Sequence, residues 1–470
     1  MDVSPTHADS LSLRERGEGL LLLGGLVIGL AARLAFAFLD DGLLWPDEYY
    51  QSLEPAHRAV FGYGWQAWEF LEGARHWTLP GFVALIIRVA NGVGLDYLAA
   101  VETVFCITGA ATSLAVFSLA RAQGASRLSS AVVATAFSLM GLAIYLSPRA
   151  MGETLSALPI TLALARAVRA ESRSPSDVLV IGALLALGVA LRLQNGLFCL
   201  FVLGLLFRTQ RRAALQLLGV LVLGALLYGA IDWLTWGKPF HSALTYLRFN
   251  LIEGKSSAFG THHFFLYFQA LFTAEGLTIV PLIVLSVFGF KQARAIPLMA
   301  LGFVLVHSLI PHKELRFIFP AIPLLAAHAA LGLDRFPERR RLALLAFAVA
   351  SLLTFPTLTF GRLGISNPAR SLSAIDYVGP ENRLLKRART LEDLCGLRIA
   401  SNEWWRTGGY AYLHRKVPMY GPRDPEGHFN YVIARRGEVV GTEIAHDGDR
   451  VLVRVDLPCT PDRTYDWHLE

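Results

Sequence analysis

Long apolar runs constrain this chain more than any other feature. Gly19 to Leu39 and Ala213 to Leu234 are each close to the roughly 20 residues that span a bilayer, and comparable blocks recur along most of the chain. Lipid leaves no water for backbone N–H and C=O groups, so runs of this length are read as helices. Composition agrees: 17% of the residues are charged, against about 25% in a soluble domain. The net charge of +6 does not indicate a nucleic-acid partner. Lys and Arg gather in short connectors between apolar runs, and no basic stripe is interleaved with aromatics.

Spanning helices are expected near 19–39, 98–120, 128–146, 152–170, 177–191, 195–207, 213–236, 275–290, 295–310, 318–334 and 341–360. Ala35-Phe36-Ala37 resembles a signal cleavage site, but the preceding run is longer than a signal-peptide core, so an uncleaved first helix is expected. The run 79–93 is short, opens on Pro80-Gly81 and contains Arg88 and Asn91. Counting it as a span would put Arg121, Arg127, Arg166, Arg169 and Arg173 outside the cytosol. Leaving it as a re-entrant or interfacial helix puts every basic connector on one face. The expectation is an all-α polytopic protein of about 11 spans with a cytosolic tail over 1–18 and a membrane domain over 19–360. A small α+β extracytosolic domain follows over 361–470, with strands near Leu397–Ala400, Tyr431–Ala434 and Val451–Val455 and a helix over Glu403–Leu413. Cys106 and Cys199 lie in apolar runs as packing residues, whereas Cys395 and Cys459 are candidates for a disulfide in an oxidising outer compartment.

This topology collects ionisable residues on the outer face, where they are costly unless they pair or line a cavity. The first outer loop, 40–97, carries Asp47, Glu48, Gln51, Glu54 and His57 at steps of three and four, one polar face if helical. A partly buried carboxylate there could act as a general base. The same acids also suit the first turn of a solvated helix after Pro46. Arg75, Arg149, Arg192, Lys313 and Arg316 lie on the same side and could bind a phosphate, or serve as snorkelling anchors. The outer loop 237–274 ends in His262-His263 and an aromatic run that fits an interface belt as well as a sugar platform. A metal site from Asp47, Glu48, Glu153 and the histidines would be unspecific, and none is expected.

Three segments resemble glycosyltransferase family 22, the mannosyltransferases that extend lipid-linked oligosaccharides and glycosylphosphatidylinositol precursors. They are Pro46-Asp47-Glu48-Tyr-Tyr-Gln51-Ser-Leu-Glu54-Pro-Ala-His57 with Trp68-Glu69-Phe70, then Phe249-Asn250 with Phe259-Gly260-Thr261-His262-His263, and His312-Lys313-Glu314-Leu-Arg316-Phe317. The resemblance implies the C-type glycosyltransferase architecture and a dolichyl- or polyprenyl-phosphate-mannose donor. It also implies a lipid-linked or glycolipid acceptor, an inverting single displacement and no cofactor. It makes Asp47, with Glu48 second, the base, and assigns donor-phosphate contacts to His312, Lys313 and Arg316, to which Arg149 and Arg192 are added. Gln51, Glu54, Trp68, Glu69, Arg75, Asn250, His262 and His263 are the expected substrate contacts. The chain departs from the family at Gln66-Ala67-Trp68-Glu69 and at Arg192-Leu193-Gln194, which bears on the acceptor. The expected setting is a bacterial inner membrane or endoplasmic reticulum membrane, with the active site extracytosolic. Protein mannosyl-, arabinosyl- and lipid A aminosugar transferases share the first-loop acid and stay open as alternatives. A transporter or flippase would show paired broken helices in related halves, which this sequence lacks.

Overall fold

The computed structural model describes residues 7–169, 173–365, 370–424, 427–456, 459–460, 462 and 464–469; in the first helix, side chains are described from Gly17. Among the described residues, six helices are long and apolar enough to cross a membrane: Gly17–Leu39, Tyr97–Ala122, Arg211–Trp236, Leu266–Gly289, Leu315–Leu333 and Pro337–Thr357. Shorter apolar helices cover Thr78–Gly92, Arg127–Leu139, Pro175–Leu191, Leu193–Thr209 and Ala295–Ser308. The chain is a multi-pass membrane protein. Leu315–Leu333 is 89% buried and Arg211–Trp236 only 22%, so the first is a central helix and the second presents most of its apolar surface to lipid.

Two compact units form. The first contains the chain up to Phe36 with Thr103–Phe240 and Leu247–Ser371; the second contains Ala37–Glu102, His241–Tyr246 and Leu372–Glu470.

In the first unit, small residues let helices approach closely, as membrane packing requires where burial of apolar surface gives no net drive. Gly25 and Gly29, four apart on the first helix, face Thr135 and Ser138, and a Cβ at either glycine would overlap those side chains. Buried Arg33 closes the same contact. Its Nη1 donates to Gly29 O at 2.9 Å and Ser138 O at 2.5 Å, and its Nε donates to Ser147 Oγ at 2.9 Å.

Several expected boundaries move. The first helix begins at His7, so the expected tail is helical from there; its first six residues lie outside the described residues. The expected span 128–146 is two helices, Arg127–Leu139 and Gly141–Leu146, broken where Met140 is extended. Buried Glu275 supplies the reason. Its carboxylate accepts the N–H of Leu142 that the break leaves without a helical partner, and also the Thr278 hydroxyl. Glu275 itself sits at a kink with φ −134°, and the helix expected from 275 starts at Leu266. Thr78–Gly92 buries Leu79, Pro80, Val83, Ile87 and Ala90, a single face at helical spacing.

The second unit joins the first loop to the tail, and its main sheet lies within the expected domain over 361–470. Its sheet has five strands in the order Met419–Tyr420, Leu397–Ile399, Tyr431–Arg435, Arg450–Arg454, Thr442–Asp447. The first three run parallel and the last two pairings are antiparallel. Helix Gly379–Ala388 is held to this sheet by Arg383–Asp447 at 2.5 Å and Arg450–Glu381 at 2.6 Å. The expected helix Glu403–Leu413 is broken at Thr407 into a turn, Trp404–Arg406, and a short helix, Gly409–Leu413. The reason lies in the loop: Thr407 O accepts the Tyr50 hydroxyl at 3.0 Å, and Asn382 takes the N–H of Gly408. Cys395 and Cys459 are disulfide-bonded, resolving the question that the sequence left open.

The Gly25/Gly29 contact gives a direct test. Gly29→Leu should lower the thermal midpoint of the purified protein, with overpacking costing about 1–3 kcal/mol. Gly24→Leu, where a Cβ meets nothing within 4 Å, should leave it unchanged.

Candidate active site

Four separate stretches of the first unit meet around one carboxylate. Glu153 is in the first turn of Gly152–Ala167 and is 1% exposed. Its Oε1 lies 2.8 Å from Arg192 Nη2 and 3.0 Å from Arg316 Nη1. Gly152 permits the approach, because a Cβ there would stand 2.5 Å from Leu191 O. The Phe317 ring lies under both guanidiniums, 5.1 Å from Arg192 and 4.8 Å from Arg316. Arg316 Nε donates to Glu314 Oε2 at 2.5 Å. The His312–Lys313 segment is tied to the loop before Leu266: His262 N donates to Pro311 O at 3.0 Å, and His312 Nδ1 to Gly260 O at 3.2 Å.

Burial alone would lower the His312 pKa, but Glu314, 3.4 Å from its Nε2, outweighs that and holds it above the ordinary value. His262 goes the other way, lowered by burial and by the His312 and Lys313 charges. Three cations, Arg192, Lys313 and Arg316, thus accompany two carboxylates, which leaves the cluster positive before His312 is counted.

This geometry redistributes the expected phosphate ligands. Lys313 is buried, and its Nζ donates to Ile310 O at 2.5 Å and His262 O at 3.0 Å. Arg316 is 1% exposed between two acids. Both are held by partners within the protein, in distant loops that a linear reading cannot locate. Arg149 is buried with its guanidinium 4.3 Å over the Tyr145 ring. Arg192 differs: Glu153 engages only Nη2, and Nε and Nη1 have no partner among the described residues. His263 pairs with Gln269 at 3.1 Å. Asn250 lies in the π-helical turn Arg248–Ile252, whose Phe249 ring is 6.4 Å from that of Phe259.

The second unit holds the acids of the first loop. Tyr49–Leu53 is a π-helical turn that leads into the α-helix Glu54–Phe61, so the expected regular polar face over the membrane surface does not form. Glu48, Gln51, Glu54 and His57 are buried, and Asp47 stays partly exposed. Gln51 Nε2 donates to Glu69 Oε1 at 2.9 Å, Arg75 Nη2 lies 3.6 Å from the same oxygen, and the Arg75 guanidinium is 5.6 Å over the Tyr246 ring. Burial raises the Glu69 pKa, and the Asp47 charge adds to the rise against the pull of Arg75. Asp47, Glu69, Gln51 and Arg75 therefore form one acid-bearing group, with Trp68 at the start of the turn Trp68–Leu71.

Glu54, an expected substrate contact, has another task. It is 0% exposed and accepts the N–H of Trp65 at 2.9 Å, of Tyr410 at 3.2 Å and of Ala411 at 3.0 Å. Burial nonetheless outweighs these bonds and pushes its pKa up to about 7. The sequence reasoning passed over Glu153 and Glu314 as partners of the cations. The available signal was their place between arginines in short turns, where an acid must pair.

The fold is that of the C-type membrane glycosyltransferases. Two solved proteins share the fold. ArnT from Cupriavidus metallidurans, solved with undecaprenyl phosphate, superposes with a TM-score of 0.59 at 11% identity, covering 94% of this chain and 99% of that one. The Archaeoglobus fulgidus oligosaccharyltransferase gives 0.51 at 12%, covering 88% and 69%.

The chain belongs to the Alg9-like mannosyltransferase family, which matches residues 26–414. GPI mannosyltransferase 3 of Yarrowia lipolytica is 31% identical over 84% of this chain and 76% of its own length. GPI alpha-1,2-mannosyltransferase 3 of Homo sapiens is 27% identical over 71% of this chain and 62% of its own, so the match spans less than two thirds of the human protein.

Buried His57 gives this region a pH dependence. Nδ1–H faces Tyr63 O at 3.2 Å, and Nε2 faces His414 Nδ1 at 3.0 Å. Burial, then the His414 charge, lowers its pKa from 6.5 to about 3. A depressed folded pKa contributes stability that is present above pH 6.5 and lost as pH falls toward 3, at most about 1.4 kcal/mol per pH unit. Thermal midpoints of wild type and His57→Gln, measured from about pH 8 down to about pH 5, should therefore converge as the pH falls.

Proposed function

We propose that the protein transfers mannose from a polyprenyl- or dolichyl-phosphate donor to a hydroxyl of a lipid-linked or glycolipid acceptor, outside the cytosol. The observation that carries this reading is the positive cluster around Glu153, with the open Arg192 edge suited to a phosphate monoanion or dianion. Its support is twofold: family membership, and a fold shared with a protein solved with undecaprenyl phosphate. The relatives' alpha-1,2 designation makes a 2-hydroxyl of an acceptor sugar the first to test. The Cys395–Cys459 disulfide fits an oxidising outer compartment.

In this reading the acceptor oxygen attacks the anomeric carbon, the bond from that carbon to the phosphate oxygen breaks, and configuration inverts in one displacement. Asp47 takes the acceptor proton. Asp47 is half-buried and its charge acts on Glu69, while Glu48 is buried and accepts the N–H of Leu44 at 3.2 Å. The departing phosphate gains negative charge as the sugar gains oxocarbenium character. Fixed cations stabilise that charge more in the transition state than in the ground state. These steps require no cofactor.

The test is turnover of polyprenyl-phosphate-mannose by the purified protein. Asp47→Asn should lower kcat by about 10²–10⁴-fold with donor binding retained. Full activity in that variant would remove Asp47 as the base, and consumption of an arabinosyl or aminosugar donor in place of the mannosyl one would overturn the substrate.

A further inference from the structure

The geometry points to Glu153 as a positioning residue for the donor: it holds Arg192 so that the free edge of the guanidinium faces the lipid phosphate. This rests on the donor reading above and adds a residue to it.

Three observations carry the inference. First, one oxygen of Glu153 meets both arginines, at 2.8 and 3.0 Å, and the carboxylate is buried. Glu153 divides its charge between two cations, so Arg192 has no carboxylate to itself among the described ion pairs, and with Lys313 the group stays net positive. Second, the two arginines are placed asymmetrically. Arg316 is spent, with Nε on Glu314 and Nη1 on Glu153. Arg192 gives only Nη2 to Glu153, its side chain is 12% exposed, and Nε with Nη1 remains without a partner among the described residues. Nη2 carries a second hydrogen, so together with Nε or Nη1 it still completes one of the two parallel-donor edges with which a guanidinium grips a phosphate. Third, Phe317 lies under Arg192 at 5.1 Å and Gly152 lets the helix end at Leu191 pass close to Glu153, so ring and carboxylate together fix both the plane and the rotation of the fork. Arg316, anchored on the far side, stops Glu153 from following Arg192 toward solvent.

The role differs from structural ion pairing in what it predicts. A carboxylate that only supported the fold would change stability and leave the affinity of the folded fraction alone. A positioning carboxylate would change the affinity for the phosphate.

The experiment measures binding of polyprenyl phosphate without sugar, and the KM and kcat for polyprenyl-phosphate-mannose, on the full chain in lipid nanodiscs. Glu153→Gln keeps the shape and loses the charge. It should weaken polyprenyl-phosphate binding and raise the donor KM by roughly 10–100-fold, the scale of loss when the partner that orients a binding group is removed, with kcat changed far less. Glu153→Asp should recover part of the affinity, and Arg192→Lys should lose it despite keeping the charge. Wild-type affinity in folded Glu153→Gln would overturn the inference, as would a variant that loses only thermal stability. If wild-type protein itself failed to bind polyprenyl phosphate, the donor reading would be what fails.

Discussion

A carboxylate shared between two guanidiniums is the interaction on which the first unit's polar architecture turns. Removing such charges from water costs several kcal/mol per ion, and only close geometry with further hydrogen bonds recovers it. Glu153 meets that condition through Arg192 and Arg316, and Arg316 meets it again through Glu314. The chain of pairs fixes the start of Gly152–Ala167, the end of Pro175–Leu191 and the segment before Leu315–Leu333 as one set. Lys313 extends the set by donating to carbonyls on both sides of its loop. Function requires that such a set not neutralise itself, and here it does not: one cationic edge stays open.

The membrane imposes the complementary constraint. Helices without a burial drive between them need small residues and satisfied backbone, and both are visible. Gly25 and Gly29 admit Thr135 and Ser138; Glu275 repairs the N–H that the break at Met140 exposes. The second unit uses a similar device outside the spans, where Glu54 collects three backbone N–H groups and so fastens the first loop to the tail. Buried acids therefore recur as clamps, and the acid that remains partly open, Asp47, is the one assigned the chemistry.

Much of this was legible in the sequence because it depends on local signals. Apolar runs of spanning length announced most helices, and three of the tail strands carry short apolar stretches. The rest depends on partners far away in the chain. The break at Met140 is stabilised by a residue more than a hundred positions on. The strand Thr442–Asp447 escaped notice because it is an exposed edge without an apolar run. Helix Gly379–Ala388 announced itself only through Pro380 at its start and basic residues in its last turn. The cationic residues were found, and the disulfide pair was named, but no linear reading could tell that Arg316 meets two acids while Arg192 meets one. Glu54 looked like a ligand for the same reason.

The central claim is that the lipid phosphate is received on the open edge of Arg192. A cryo-electron microscopy structure of the full chain with bound polyprenyl phosphate tests it most directly. The account predicts phosphate density within hydrogen-bond reach, about 3 Å, of Arg192 Nη2 and one of Nε and Nη1, with Glu153 still bridging Arg192 and Arg316. Phosphate density held elsewhere, with the Arg192 edge facing empty solvent, would contradict it.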